Sequence, residues 1–291
     1  MTPFSNPTFF FFFLFFFSSS PFLLFARFIS FIVMDLSVFD ALGLPMLKYH
    51  WQVVLLSAVM CCIIFETSRI ISPLLFPKTF QFFKGYNAPN WHVHVVSTVH
   101  CIVVVIGSFY ILADGTLAKD RVFGYSYWCA NFYSISCGYF LWDTFAALHY
   151  IKYQGISMVM HGLVSFSVFI FAYKPFVNYY GAIFLMYELS TIFLNFNWFM
   201  DKLGWTGSKA QLINGVVLIS CFFGARVVFG LYMTIQMWSD ISKVWDLVPA
   251  QYIFVYGAAN AATVTLNLYW FRMMINMLRK RFPSKSNKDA K

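Results

Sequence analysis

WHVHVVSTVHCIVVVIGSFYILA, residues 91–113, carries no Asp, Glu, Lys or Arg across 23 positions. As a helix it reaches about 34 Å at about 1.5 Å per residue, enough for the roughly 30 Å hydrocarbon core of a bilayer. Six further stretches, 49–71, 125–149, 155–173, 179–200, 211–237 and 250–278, are long and apolar enough to be read the same way. Turn or interface chemistry separates them: Pro73 and Pro77, the run from Gly85 to Pro89, Asp114-Gly115, Gln154-Gly155, Pro175, the run from Gly204 to Gly207, and Pro249. Composition agrees, since 60% of the chain is hydrophobic and 11% charged, against about half and a quarter in a soluble domain. The expected fold class is all-α: a polytopic membrane helix bundle of about seven transmembrane helices.

Charge placement gives the bundle an orientation and removes one function class. Six of the cations, Arg279, Lys280, Arg281, Lys285, Lys288 and Lys291, sit in the C-terminal tail. The net charge of +9 is thus read as a lipid-facing cytoplasmic end rather than a nucleic-acid surface, and no nucleic-acid partner is expected. Lys and Arg accumulate on the cytoplasmic side. With the C-terminus cytosolic, that side holds Arg69, Lys78, Lys84, Lys152, Lys202, Lys209 and the tail, twelve in all. The opposite side holds Lys48, Lys119, Arg121, Lys174 and Lys243, five in all. Cys61, Cys62, Cys101, Cys129, Cys137 and Cys221 all lie in apolar stretches, where they read as small packing residues rather than as a disulfide framework.

Four regions are expected. Residues 1–33 form a low-complexity Phe-rich N-terminus, nearly pure phenylalanine from Phe9 to Phe17 and followed by Ser18-Ser19-Ser20-Pro21. They lack the positive n-region of a signal peptide, which leaves two readings: an extra helix, or upstream sequence preceding a start at Met34. Residues 34–84 hold the first transmembrane helix and a cytoplasmic loop, 85–278 the main domain, and 279–291 the basic cytoplasmic tail.

Ionisable side chains inside the spans carry the functional information, because Asp or Arg at the bilayer centre costs about 2.5–3.5 kcal/mol on insertion scales. Counted from the cytoplasmic helix ends, Asp143 and His161 lie about 9 Å deep, His100 about 13 Å, Glu188 about 18 Å and Arg226 about 22 Å. Asp143 and His161 sit on helices joined by the short turn around Gln154-Gly155, so an Asp–His contact across that hairpin is the leading candidate site. A buried pair can equally serve only to lock helices together. Glu66 is expected to snorkel or pair with Arg69. His50, His92, His94 and His149 fall near interfaces. No metal site is expected, because neither a His-Glu-x-x-His pattern nor a Cys-x-x-Cys pair is present, and no cofactor is implied.

The run 91–100, with Trp91, His94, Ser97 and His100, resembles the opening of a TLC domain, the domain of ceramide synthases and the translocating-chain-associating membrane protein. The resemblance continues in order through Gly138-Tyr139-Phe140-Leu141-Trp142-Asp143, Met160-His161, the run from Tyr187 to Phe199, and Arg226. It covers about 85 to 275 and implies a helical barrel around a lipid-sized cavity, with His100, Glu188, Ser190, Asn195 and Arg226 as candidate polar lining. In ceramide synthases, consecutive histidines and nearby aspartates carry acyl transfer to a long-chain amine. Here His161 is followed by Gly162, His94 fills a basic position before the serine motif, and Ile192 stands where relatives usually carry proline.

Acyl transfer needs a base for the amine proton and a stabiliser for the oxyanion. His161 with Asp143 could supply the base, and the second function is left unassigned. The preferred reading is a non-catalytic protein that binds membrane lipid and contributes to lipid homeostasis, in the endoplasmic reticulum or another endomembrane. The alternative is a ceramide-synthase-like acyltransferase with His161 and Asp143 as candidate catalytic residues, and an acyl-CoA and a sphingoid base as partners. A channel or transporter is disfavoured, since no repeated half is visible. Oligomeric state is left open.

Overall fold

A computed structural model describes residues 36–281; the Phe-rich segment 1–33, the Met34 start and the basic tail beyond Arg281 lie outside the described residues. Residues 36–48 carry one short helix, Ser37–Ala41, and enter a 3-10 turn, Pro45–Tyr49, with Lys48 Nζ 3.5 Å from Asp40.

The remaining described residues are mainly helical, and no strand occurs among the described residues. In order, the helices are α1 (Trp51–Leu75), α2 (Asn87–Asp114), α3 (Tyr127–His149), α4 (Ile156–Phe171), α5 (Asn178–Leu185), α6 (Glu188–Lys202), α7 (Lys209–Phe222), α8 (Gly230–Ser242) and α9 (Ala250–Arg281). Single helical turns at Pro77–Phe80 and Ile151–Gln154 lie in the connections. Each of the seven apolar stretches is therefore helical, and the chain is an all-α membrane helix bundle. By length and composition alone, α1, α2 and the continuous Lys209–Ser242 rod are long and apolar enough to cross a membrane. Helix α4 is apolar but only 16 residues long.

Two stretches depart from simple rods. The 179–200 stretch is two helices, because the chain tightens at Met186–Tyr187 into bonds three residues apart: Met186 N–H to Ile183 O, Tyr187 N–H to Phe184 O and Leu189 N–H to Met186 O. The rod from Lys209 to Ser242 widens instead into a π-helical segment, Phe223–Phe229, with Arg226 inside it. Such π-bulges are rare and frequent at functional sites.

Close approaches set the packing of the remaining helices. A Cβ on Gly138 would lie 2.4 Å from the Val54 carbonyl oxygen, so α1 and α3 cross with backbone against backbone. A Cβ on Gly162 would lie 2.5 Å from Thr144 Oγ1. Gly162 is therefore the seam of the α3–α4 hairpin, which gives a steric reason for glycine where a second histidine was looked for. Ser126 caps α3 by accepting from Cys129 N–H at 3.4 Å, and Ser208 caps α7 by accepting from Gln211 N–H at 3.2 Å.

Near the C-terminal end of α8, Asp240 gathers three donors: Lys243 Nζ at 2.6 Å, Tyr180 OH at 2.5 Å and Arg121 Nη1 at 3.1 Å. This clasp ties the α2–α3 loop to the end of α8, and the Asp240 bond raises the Arg121 pKa above the ordinary guanidinium value. At the surface, Arg69 pairs with both oxygens of Glu66, at 3.0 and 2.9 Å, as the spacing suggested.

Candidate functional site

Arg226 is buried, and its position follows from the two helix irregularities. Tightening at Met186–Tyr187 presents the Tyr187 carbonyl sideways, and the π segment turns Arg226 toward it. Arg226 Nε donates to Tyr187 O at 2.9 Å and to Ser190 Oγ at 3.0 Å. Its Nη2 donates to Thr191 Oγ1 at 2.8 Å, and its Nη1 to Asn267 Oδ1 at 3.4 Å. A guanidinium with this many acceptors is solvated by protein in place of water. The Tyr187 ring lies below it, 5.7 Å from centroid to guanidinium carbon, and a Cβ on Gly230 would meet the Tyr187 hydroxyl at 2.2 Å.

Glu188 stands beside this network with far fewer partners. Its Oε1 is 3.7 Å from Arg226 Nη2, an ion pair without a hydrogen bond, and its Oε2 accepts from the Cys101 thiol at 3.0 Å. His100, adjacent to Cys101 on α2, is buried with both ring nitrogens unpartnered. It stacks face to face on Tyr139 at 3.7 Å between centroids.

A partly open cavity lies between α4, α5, α8 and α9. Its walls are apolar along Val164, Val168, Phe169, Phe184, Leu185 and Leu266, and His161, Glu188, Arg226 and Asn267 contribute polar groups to the lining. Asn178 Oδ1 and Tyr256 OH, also in its lining, are buried without a hydrogen-bond partner.

Of the residues named from sequence, His161, Glu188 and Arg226 line the cavity. Ser190 supports Arg226 from behind, with its own hydroxyl donating to Tyr187 O at 3.0 Å. Asn195 belongs to a separate polar knot: its Oδ1 meets His94 Nδ1 at 2.9 Å, and its Nδ2 donates to Ser97 Oγ and Thr98 Oγ1, each at 3.0 Å. His100 and Asp143 are buried outside the cavity wall.

No hydrogen bond joins Asp143 to His161 among the described residues. His161 is instead flanked edge-on by the rings of Phe140, at 5.7 Å, and Trp270, at 5.4 Å, while Asp143 Oδ2 is left without a partner. The reason is helical phase. Gly162 and Thr144 occupy the α3–α4 seam, and His161 and Asp143 each precede a seam residue by one position, about 100° around the helix.

Sequence reading did not anticipate the histidine partners. His50 is fully buried between Asn131 Oδ1 at 2.9 Å and Tyr125 OH at 2.7 Å, and His92 meets Ser68 Oγ at 2.8 Å. The long sequence separations of these partners leave no local signal.

Residues 90–276 match the family model described as the TLC domain. An uncharacterized TLC domain-containing protein of Schizosaccharomyces pombe is 36% identical over 242 residues, 83% of this chain and 83% of that protein. One from Saccharomyces cerevisiae is 31% identical over 202 residues, 65% of this chain and 63% of its own length. TLC domain-containing protein 4 of Xenopus tropicalis is 34% identical over 165 residues, 54% of this chain and 64% of its own length. The chain thus spans less than two thirds of the budding-yeast and frog relatives.

Proposed function

The chain belongs to the TLC domain family, and from that premise we propose that it is a multi-pass endomembrane protein that holds a membrane lipid and contributes to lipid homeostasis. The observation that carries this reading is the chemistry of the cavity lining: largely apolar walls with His161, Glu188, Arg226 and Asn267 among them. Apolar walls take an acyl or alkyl chain by hydrophobic burial, while a few convergent polar groups fix a headgroup or backbone oxygen. The endoplasmic reticulum is the proposed site, and the charge bias supports a cytosolic C-terminus.

Lipid binding is preferred to acyl transfer on two further grounds. His161 is packed between aromatic rings and makes no hydrogen bond to Asp143 among the described residues, so that carboxylate does not orient it as a base. Gly162 has no room for a side chain against Thr144. The Gly162→His substitution is therefore expected to lower thermal stability without conferring acyl transfer.

The test is to purify the full chain in a mild detergent and identify retained lipid by native mass spectrometry. A stoichiometric lipid is expected, lost when Ser165→Trp fills the cavity in a variant that still elutes as a folded species. Retention of the same lipid by that variant would place it outside the cavity. In a parallel assay with a fatty acyl-CoA and a sphingoid base, no amide product is expected. Product formed by wild type and abolished in His161→Ala would establish the acyltransferase instead. A tag after Lys291 is expected to be protease-accessible in sealed microsomes, and its protection would reverse the orientation.

A further inference from the structure

Three potential metal ligands from two helices converge beside the cavity. The ligand atoms of His100, Cys101 and Glu188 lie within 4.8 Å of one another, and all three residues are buried. In a tetrahedral site with bonds of about 2.0–2.3 Å, ligand atoms are about 3.3–3.8 Å apart. The Cys101–Glu188 pair stands at 3.0 Å, so closure requires that pair to open by a few tenths of an ångström and the imidazole to turn toward it.

The cluster is also unsatisfied without an ion. Both nitrogens of His100 are buried and unpartnered, although a buried donor or acceptor left unmet costs about 1–3 kcal/mol. Glu188, able to accept about four hydrogen bonds, receives one, from a thiol, which is a weak donor. Arg226 does not supply the rest, because its four hydrogen bonds go to Tyr187, Ser190, Thr191 and Asn267 and its Nη2 stands 3.7 Å from the carboxylate. Asp143, one helical turn from the Tyr139 ring that stacks on His100, adds another buried carboxylate with an unpartnered oxygen. With Cys101 as thiolate, the carboxylates of Glu188 and Asp143 and that sulfur are balanced by Arg226 and one divalent cation.

We propose that His100, Cys101 and Glu188 bind a borderline divalent transition-metal ion of the zinc class inside the bundle. A mixed set of imidazole nitrogen, thiolate sulfur and carboxylate oxygen selects such an ion over calcium or magnesium, which take oxygen ligands. Binding releases the Cys101 proton, and the thiolate exchanges its hydrogen bond to Glu188 for a bond to the metal. Three protein ligands leave a fourth position. The sequence hides this site because the ligands include neighbours on one helix turn and a partner 87 residues away, a spacing that no short motif describes. The proposal stands on these three residues and does not depend on what occupies the cavity.

The experiment loads purified full-length protein with Zn2+, removes free metal by gel filtration, and counts zinc by plasma mass spectrometry. About one zinc per chain is expected, with content falling by at least ~10-fold in His100→Gln and in Cys101→Ser. In the Co2+-loaded protein, a thiolate-to-cobalt charge-transfer band is expected to survive loss of Cys62 and Cys221 and to vanish in Cys101→Ser. Should that variant fail to fold, zinc-edge absorption on wild type reads the same ligand directly, with one sulfur expected in the first coordination sphere. A wild-type protein that retains no metal, a band that persists in folded Cys101→Ser, or a sulfur-free zinc shell would each overturn the proposal.

Discussion

Two ion pairs in this bundle are built in opposite senses. In the Arg121–Asp240 clasp the acid is the hub: Asp240 receives Lys243, Tyr180 and Arg121, and the arginine and lysine side chains are 38% and 67% exposed. In the buried centre the base is the hub. Arg226 donates to four acceptors, while Glu188 keeps one thiol hydrogen bond and a guanidinium at 3.7 Å. The clasp closes a loop at the bundle's edge, where water can replace any lost partner. The centre braces two irregular helices against each other and leaves a carboxylate facing the cavity with bonding capacity to spare. An ion pair's presence is thus a poor guide to its role, and the distribution of hydrogen bonds around it is a better one.

This contrast can be broken most sharply at Arg226. Arg226→Met strands Glu188 as a buried charge and removes the main donor to the Tyr187 carbonyl, with an expected loss of about 3–5 kcal/mol, read as a collapse of the folded peak in fluorescence-detected size exclusion and a large fall in Tm. A loss below ~1 kcal/mol would mean that Arg226 is not the hub. Glu188→Gln keeps the shape and leaves Arg226 solvated by its four acceptors, so a smaller loss of about 1–3 kcal/mol is expected in the same thermal assay. Equal losses in the two variants would erase the asymmetry. The smallest effect belongs to the clasp, where Asp240→Asn is expected to cost at most about 1 kcal/mol because two of its partners are solvated. A Tm shift there as large as that of Arg226→Met would show that the clasp, not the centre, holds the bundle.

The helical stretches were legible because a membrane span is written in consecutive apolar residues, as in 91–113. Glu188 and Arg226 were legible too, since a charge in such a run demands a partner. Depth counted from helix ends gives only an axial coordinate, however, and says nothing of direction around the helix. That is why Asp143 and His161 match in depth yet make no contact, with Gly162 and Thr144 holding the seam one residue on. The break at Met186–Tyr187 and the π segment at Phe223–Phe229 carry no proline, and each is stabilised by the other element through Arg226. Local propensity cannot report a conformation whose reason lies in a distant helix. The partner of His94 was hidden for the same reason, as Asn195 lies 101 residues away.

The tightened turn at Tyr187 also constrains how the chain can be built. Its carbonyl takes its shortest hydrogen bond from a residue 39 positions later, which is still undelivered when α5 and α6 leave the ribosome. Until the π segment arrives, this stretch brings an acidic side chain without its cationic partner toward hydrocarbon, a combination that lipid does not tolerate. Integration of α5–α6 is therefore tied to synthesis of the helix that follows, and the insertion machinery must shelter the pair until Arg226 arrives.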